Sequence, residues 1–131
     1  MGRVSVRSGK NYKKLNQIDG TIADGHFGES VVGAGDVDGD GHVDLIVGEP
    51  SVFGDNPRSA WYSGRVSVLS AIDGRVLFTY APSTADSCGE VMNAIDLNGD
   101  DRRDILIACA PPVPNPNYSG YMKAFSLAAG E

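Results

Sequence analysis

The residues best suited to chemistry lie in one stretch, Asp36-Val37-Asp38-Gly39-Asp40-Gly41-His42-Val43-Asp44, followed at once by the apolar run Leu45-Ile46-Val47. Four carboxylates this close repel one another unless a counter-charge sits among them. Hard oxygen donors at such density suit a calcium ion. A weaker copy lies sixty residues on, Asp96-Leu97-Asn98-Gly99-Asp100-Asp101-Arg102-Arg103-Asp104, and again an apolar run follows, Ile105-Leu106-Ile107. Catalysis has little to work with. His26 and His42 are the only histidines, and there is no Gly-x-Ser-x-Gly elbow, Cys-x-x-Cys or zinc-spaced His cluster. The paired carboxylates fall in the two loops, where a metal would take them. The chain is therefore expected to be non-enzymatic, with no catalytic residues. His26 is expected to pack or hydrogen-bond between structural units, and the His42 ring to stay solvated. Trp61 and Tyr62 are candidate contacts for a protein or glycan partner, or else a cover over a sheet edge.

Composition narrows the setting. Apolar residues make up 41% of the 131-residue chain, enough for a core and too many for wholesale disorder. Seventeen glycines and seven prolines, with few helical patterns, point to an all-β chain rich in turns. Two bound Ca²⁺ ions would bring the formal charge from −6 to −2, so the acidity reads as metal sites rather than as an acidic tail. No Lys/Arg patch interleaved with aromatics is present, which argues against nucleic acid; the basic stretch Lys10 to Lys14 reads as a solvated turn. Met1-Gly2 runs straight into Arg3-Val4-Ser5-Val6-Arg7 with no apolar leader core, and no stretch suits insertion into a membrane. The expectation is a piece of a longer secreted protein, with a cytosolic protein as the alternative. Cys88 and Cys109 either pair across a hairpin or remain two buried thiols.

The elements that must position these loops follow from an internal repeat. Gly2-Arg3-Val4-Ser5-Val6 recurs as Gly64-Arg65-Val66-Ser67-Val68, and Ala23-Asp24 as Ala85-Asp86. Gly28-Glu29 returns as Gly89-Glu90, with Cys88 in place of Phe27. Gly120-Tyr121-Met122-Lys123-Ala124-Phe125 is a looser third copy of the first element. Within the unit, Gly28 to Ala34 reads as a glycine-rich strand and the acidic loop reverses the chain. Val43 to Val47 reads as a strand buried on both faces, ended by Gly48-Glu49-Pro50 because proline cannot donate to a ladder. A polar loop over 51–63 follows. Arg65 to Leu69 is the third strand, Asp73-Gly74 a hairpin turn and Arg75 to Tyr80 the fourth strand. Four antiparallel strands per unit predict β-propeller blades. The expected division is 1–22 as the third and fourth strands of one blade, 23–81 as a complete blade, and 82–131 as the first three strands of another.

Phe27-Gly28-Glu29-Ser30-Val31, the loop Asp36 to Asp44, Asp44 to Pro50 and Gly64 to Val68 together resemble the FG-GAP repeat. This is the blade of the integrin α-subunit propeller and of bacterial secreted and surface proteins. The resemblance implies calcium in the loop between the first two strands of a blade. Carried over by position, Asp36, Asp38, Asp40 and Asp44 supply side-chain oxygens and His42 its carbonyl. In the second loop the set is Asp96, Asn98, Asp100 and Asp104 with the Arg102 carbonyl. Asn98 replaces a carboxylate there and Asp101 a glycine, so weaker affinity is expected. An EF-hand or dockerin would need a helix after the loop, and Val47, Gly48, Glu49 and Pro50 forbid one.

The expected protein is thus a calcium-binding FG-GAP propeller fragment, extracellular or at the cell surface, serving as a structural or adhesion-type module. About two blade-lengths make it a partial propeller, or one completed by association of copies, with a homotrimer favoured. The alternatives are an accessory segment of an extracellular hydrolase or lyase, and a piece that self-assembles into a full propeller.

Overall fold

The computed structural model describes residues 1–53, 62–82, 86–111, 116–117 and 119–127, except the side chains of 51–53 and 62–63. The chain is all-β: the described residues form nine strands and no helix. These are β1 (Arg3–Arg7), β2 (Lys14–Asp19), β3 (Ser30–Gly35), β4 (Asp44–Phe53), β5 (Tyr62–Leu69), β6 (Val76–Tyr80), β7 (Ser87–Ile95), β8 (Asp104–Ala110) and β9 (Tyr121–Phe125). Every pairing is between neighbours in sequence and antiparallel, giving sheets β1-β2, β3-β4-β5-β6 and β7-β8-β9. Up-and-down sheets of this kind are partial β-propeller blades.

The sheets stack face to face, and alternation along each strand decides which face meets which neighbour. Val66 and Val68 of β5 turn towards the third sheet, where they join Ala34, Ile46, Cys88, Ala94, Ile105 and Ile107 in the main core. Leu69 of the same strand turns the other way and packs with Val4, Phe27 and Val47 against the first sheet. β4 is central and its residues Ile46 and Val47 are buried on opposite faces. Aromatic contacts extend the second junction, with Phe125 of β9 5.4 Å from Phe78 and 5.0 Å from Tyr80 of β6.

Glycine makes the junctions close. A Cβ on Gly2 would lie 1.8 Å from the Phe27 carbonyl oxygen, and one on Gly64 would lie 2.0 Å from the Cys88 backbone nitrogen. Gly28 and Gly89 have φ of 84° and 90°, and a Cβ on either would strike the methyl group of Val4 or of Val66. The repeated Gly-Arg-Val of one sheet thus receives the Phe-Gly or Cys-Gly of the next, backbone against backbone.

Three expectations need correction, and one open alternative is resolved. β4 does not end at Gly48-Glu49-Pro50 but runs through Pro50 to Phe53, with a register shift between Glu49 and Val52. Proline is tolerated there because β3 pairs no further than Gly48 and the ladder to β5 is bulged. The connection after β4 is consequently shorter than 51–63, since Val52 pairs with Ser63 and Phe53 with Tyr62. Val43 lies outside the strand and is exposed. The cysteines, left open by the sequence, form a disulfide, for Cys88 and Cys109 stand directly opposite in β7 and β8.

Candidate metal centre

β3 enters the first loop through a bulge between Gly33 and Gly35, and Gly35 is in the left-handed region at φ 79°. The loop then coils around its own carboxylates. Asp36 accepts the amides of Gly39 at 2.7 Å, Asp40 at 3.0 Å and Gly41 at 2.8 Å. Asp38 accepts Asp40 N at 3.1 Å, and Asp40 accepts His42 N at 2.8 Å. Gly39 and Gly41 have φ of 80° and 86°, which lets the amides turn inward. Asp44 closes the loop by accepting Val37 N at 2.7 Å.

The second loop repeats this net residue for residue. Asp96 accepts Gly99, Asp100 and Asp101, Asn98 accepts Asp100, Asp100 accepts Arg102, and Asp104 accepts Leu97. Asp101 stands in the place of Gly41 with φ 64°; aspartate is among the few side chains that visit this region. At Asp96 burial works against ionisation, but the amides of Gly99, Asp101, Asp100 and Asn98 outweigh it and hold the carboxyl below its usual range.

In the first loop, Asp36, Asp38 and Asp40 bring ligand oxygens within 4.8 Å of one another. Asp44 stands outside that trio, fully buried, with Oδ2 on Val37 and Oδ1 without a hydrogen-bond partner. Burial pushes its pKa up, and the charges of Asp38 and Asp40 add to this against the amides of Val37 and Asp38. Asp104 has the same arrangement, with Oδ1 buried and unpartnered. A buried carboxylate oxygen without a donor is costly, and a hard cation is a partner that the oxygen-rich surroundings suit. The residues present therefore fit a calcium ion. His42 is exposed, its Nδ1 3.4 Å from Asp40, and Arg102 is also exposed. Trp61 lies outside the described residues, as does the Tyr62 side chain, although the Tyr62 backbone pairs with Phe53.

Two charged partners escaped the reading of the sequence. Arg75, in the turn between β5 and β6, places Nη2 2.7 Å from Asp38 Oδ2 across 37 positions of chain. Glu49, read as a strand terminator, is instead a buried carboxylate paired with Arg65 on β5. The sequence carries no signal for the first pair, and none for the second while Glu49 is read as ending its strand. His26 hydrogen-bonds Glu29, Nδ1 to Oε2, at 3.0 Å; its φ is 59°.

Comparison with known proteins gives one family. Residues 27–69 match the FG-GAP repeat, a span that begins at the Phe27-Gly28 junction and runs through β3, the first loop, β4 and β5. No curated protein matches the chain.

Proposed function

Starting from an FG-GAP repeat at residues 27–69, we propose that this chain is a non-enzymatic, calcium-stabilised propeller segment. It serves as a structural or binding module of adhesion type. The observation that carries the reading is that, of three buried side-chain oxygens without a hydrogen-bond partner among the described residues, two, Asp44 Oδ1 and Asp104 Oδ1, each end an acidic loop; the third is Glu49 Oε1. Asp36, Asp38, Asp40 and Asp44 with the His42 carbonyl would hold one ion; Asp96, Asn98, Asp100 and Asp104 with the Arg102 carbonyl would hold the other. The ion supplies positive charge where the chain has converged negative charge, and nothing in the role is chemical. The loops are the reversals β3–β4 and β7–β8, so holding them fixes the register of the two hairpins. FG-GAP repeats are in general non-catalytic modules.

An extracellular or surface setting is part of this reading. A disulfide persists most readily in an oxidising compartment, and loops of modest affinity fill where calcium is millimolar. The partner would be a protein or a glycan.

Calcium that binds only the folded state raises stability by mass action, by about 2.7 kcal/mol per site at a hundredfold excess over Kd. Thermal unfolding in 5 to 10 mM CaCl₂ is expected to exceed that in chelator by several degrees, and Asp36→Asn is expected to remove about half of the gain. Identical melting in calcium and chelator would overturn the reading.

A further inference from the structure

Asp38 has both oxygens in use. Oδ1 accepts Asp40 N, and Oδ2 is held by the Arg75 guanidinium at 2.7 Å. The Arg75 side chain is largely exposed, while that of Asp38 is only 15% exposed, so the pair caps the loop from its solvent side. Arg75 is itself set in place: its amide donates to Asp73 Oδ1 at 2.8 Å, and its carbonyl accepts Ser70 N at 2.9 Å. The turn therefore presents a fixed cation to one member of the acidic trio. At the end of the same loop, Asp44 Oδ1 is buried and has no hydrogen-bond partner. Arg75 serves Asp38 and leaves Asp44 Oδ1 unserved.

The other loop lacks the carboxylate of this pair. Asn98 stands where Asp38 does, and its amide donates to Asp100 at 3.1 Å. The offset that carries Leu69-Ser70 onto Phe125-Ser126 carries Arg75 onto Glu131.

We propose that Arg75 sets the affinity of the first loop: it is a built-in counter-ion that a divalent cation must displace from Asp38. The inference rests on the calcium reading above. An ion entering the trio competes with the guanidinium for Asp38 Oδ2 and is repelled by its charge. Its arrival frees the Arg75 side chain, so the outer hairpin β5–β6 senses occupancy of the inner one. The two loops then differ in kind. The first has a carboxylate at Asp38 guarded by Arg75, and the second has the neutral Asn98 in that place.

Two-dimensional ¹H–¹⁵N spectra followed through a CaCl₂ titration read the loops separately. The Gly41 amide, bound to Asp36, reports the first loop, and the Asp101 amide, bound to Asp96, the second. In Arg75→Gln the first loop is expected to bind roughly two- to fivefold more tightly, the range that a partly exposed ion pair supports. The second loop is expected to be unchanged. Arg75→Lys, which keeps the charge but loses the fork, should fall between and covers the case of a misfolded glutamine variant. Unchanged or weaker binding at Gly41 in Arg75→Gln, with the wild type binding calcium, overturns the role of Arg75 alone. If neither loop of any variant responds to calcium, the calcium reading fails and this inference falls with it.

Discussion

Gly64→Ala tests whether the sheets are locked to one another by backbone contact. The Cβ it adds would lie 2.0 Å from Cys88 N, 2.3 Å from Cys88 O and 2.7 Å from Cys88 Cα. All three are main-chain atoms, and Cys88 is held by its disulfide and by pairing with Cys109. Relief therefore means moving the second and third sheets apart by more than 1 Å, and that loosens the core of Ile46, Val66, Val68, Ile105 and Ile107. Gly64 N also donates to Asp86 O at 2.8 Å across the same junction, so the shift strains a hydrogen bond as well. Overpacking of this kind costs about 1–3 kcal/mol, and a backbone obstacle puts it near the upper end, ~3 kcal/mol. For a domain of this length that lowers Tm by about 10 °C. Gly9→Ala is the control, since a Cβ there meets nothing within 4 Å and is expected to change stability by less than about 0.5 kcal/mol. Circular dichroism melts and urea unfolding of both variants in saturating calcium provide the measurement. A Gly64→Ala protein as stable as the Gly9→Ala control would refute the interlock.

Three further outcomes follow from the geometry. The Cys88–Cys109 bond spans 21 positions, and closing a loop of that size contributes about 3 kcal/mol in the chain-entropy account. Melting with and without a reductant should show a drop of several degrees, and equal melting would contradict that account. Arg65→Met leaves the Glu49 carboxylate, 2% exposed, without its ion-pair partner, at a cost of about 3 kcal/mol. The double replacement Glu49→Leu/Arg65→Met should recover most of this, and a double variant no better than the single would count against a desolvation penalty. The Arg3 side-chain hydrogen bond, aided by Gln17, holds the Asp19 carboxyl below its usual value of 3.8. A carboxyl whose folded pKa is lowered stabilises the fold above its unfolded pKa, and this contribution is lost as pH falls through the folded pKa. NMR titration should place Asp19 below 3.8 and return it towards that value in Arg3→Gln; an identical titration in both would refute the assignment.

Most of the strands and both loops were legible because each rests on local rules. Period-two alternation gives β5 and β6, the repeat of Gly-Arg-Val-Ser-Val gives β1 and β5 together, and the Asp spacing gives the loops. What was not legible depends on which strand lies beside which. Pro50 looked like a terminator because the missing N–H is a local fact, whereas the end of β3 opposite Gly48, which makes that N–H unnecessary, is not. Two cysteines 21 apart could be anything until the register set them opposite each other. Glu49 beside a proline reads as a turn residue, and only its burial next to Arg65 reveals an internal ion pair. Arg75 reaches Asp38 across two intervening strands, a contact that no spacing rule describes.

The repeat also shows what the disulfide replaces. Cys88 occupies the place of Phe27, and Cys109 the place of Glu49. In the second sheet these two positions are secured separately: Phe27 is buried against Val4, Val47 and Leu69, and Glu49 is tied to Arg65. In the third sheet they are joined to each other. At the position of Arg65 stands Tyr121, whose hydroxyl donates to Asp86. The bond closes the open end of the hairpin β7–β8, and the second acidic loop, Asp96 to Asp104, closes its turn. That loop has one charge fewer at Asn98 and a side chain in the left-handed region at Asp101, both of which weaken it as a fastening. The first loop carries the full carboxylate set, and its hairpin β3–β4 has a backbone ladder and packing, with Glu49 tied to Arg65 of the next strand. A covalent tie therefore stands in the hairpin whose loop has lost a carboxylate at Asn98, and none in the hairpin whose loop keeps the full set.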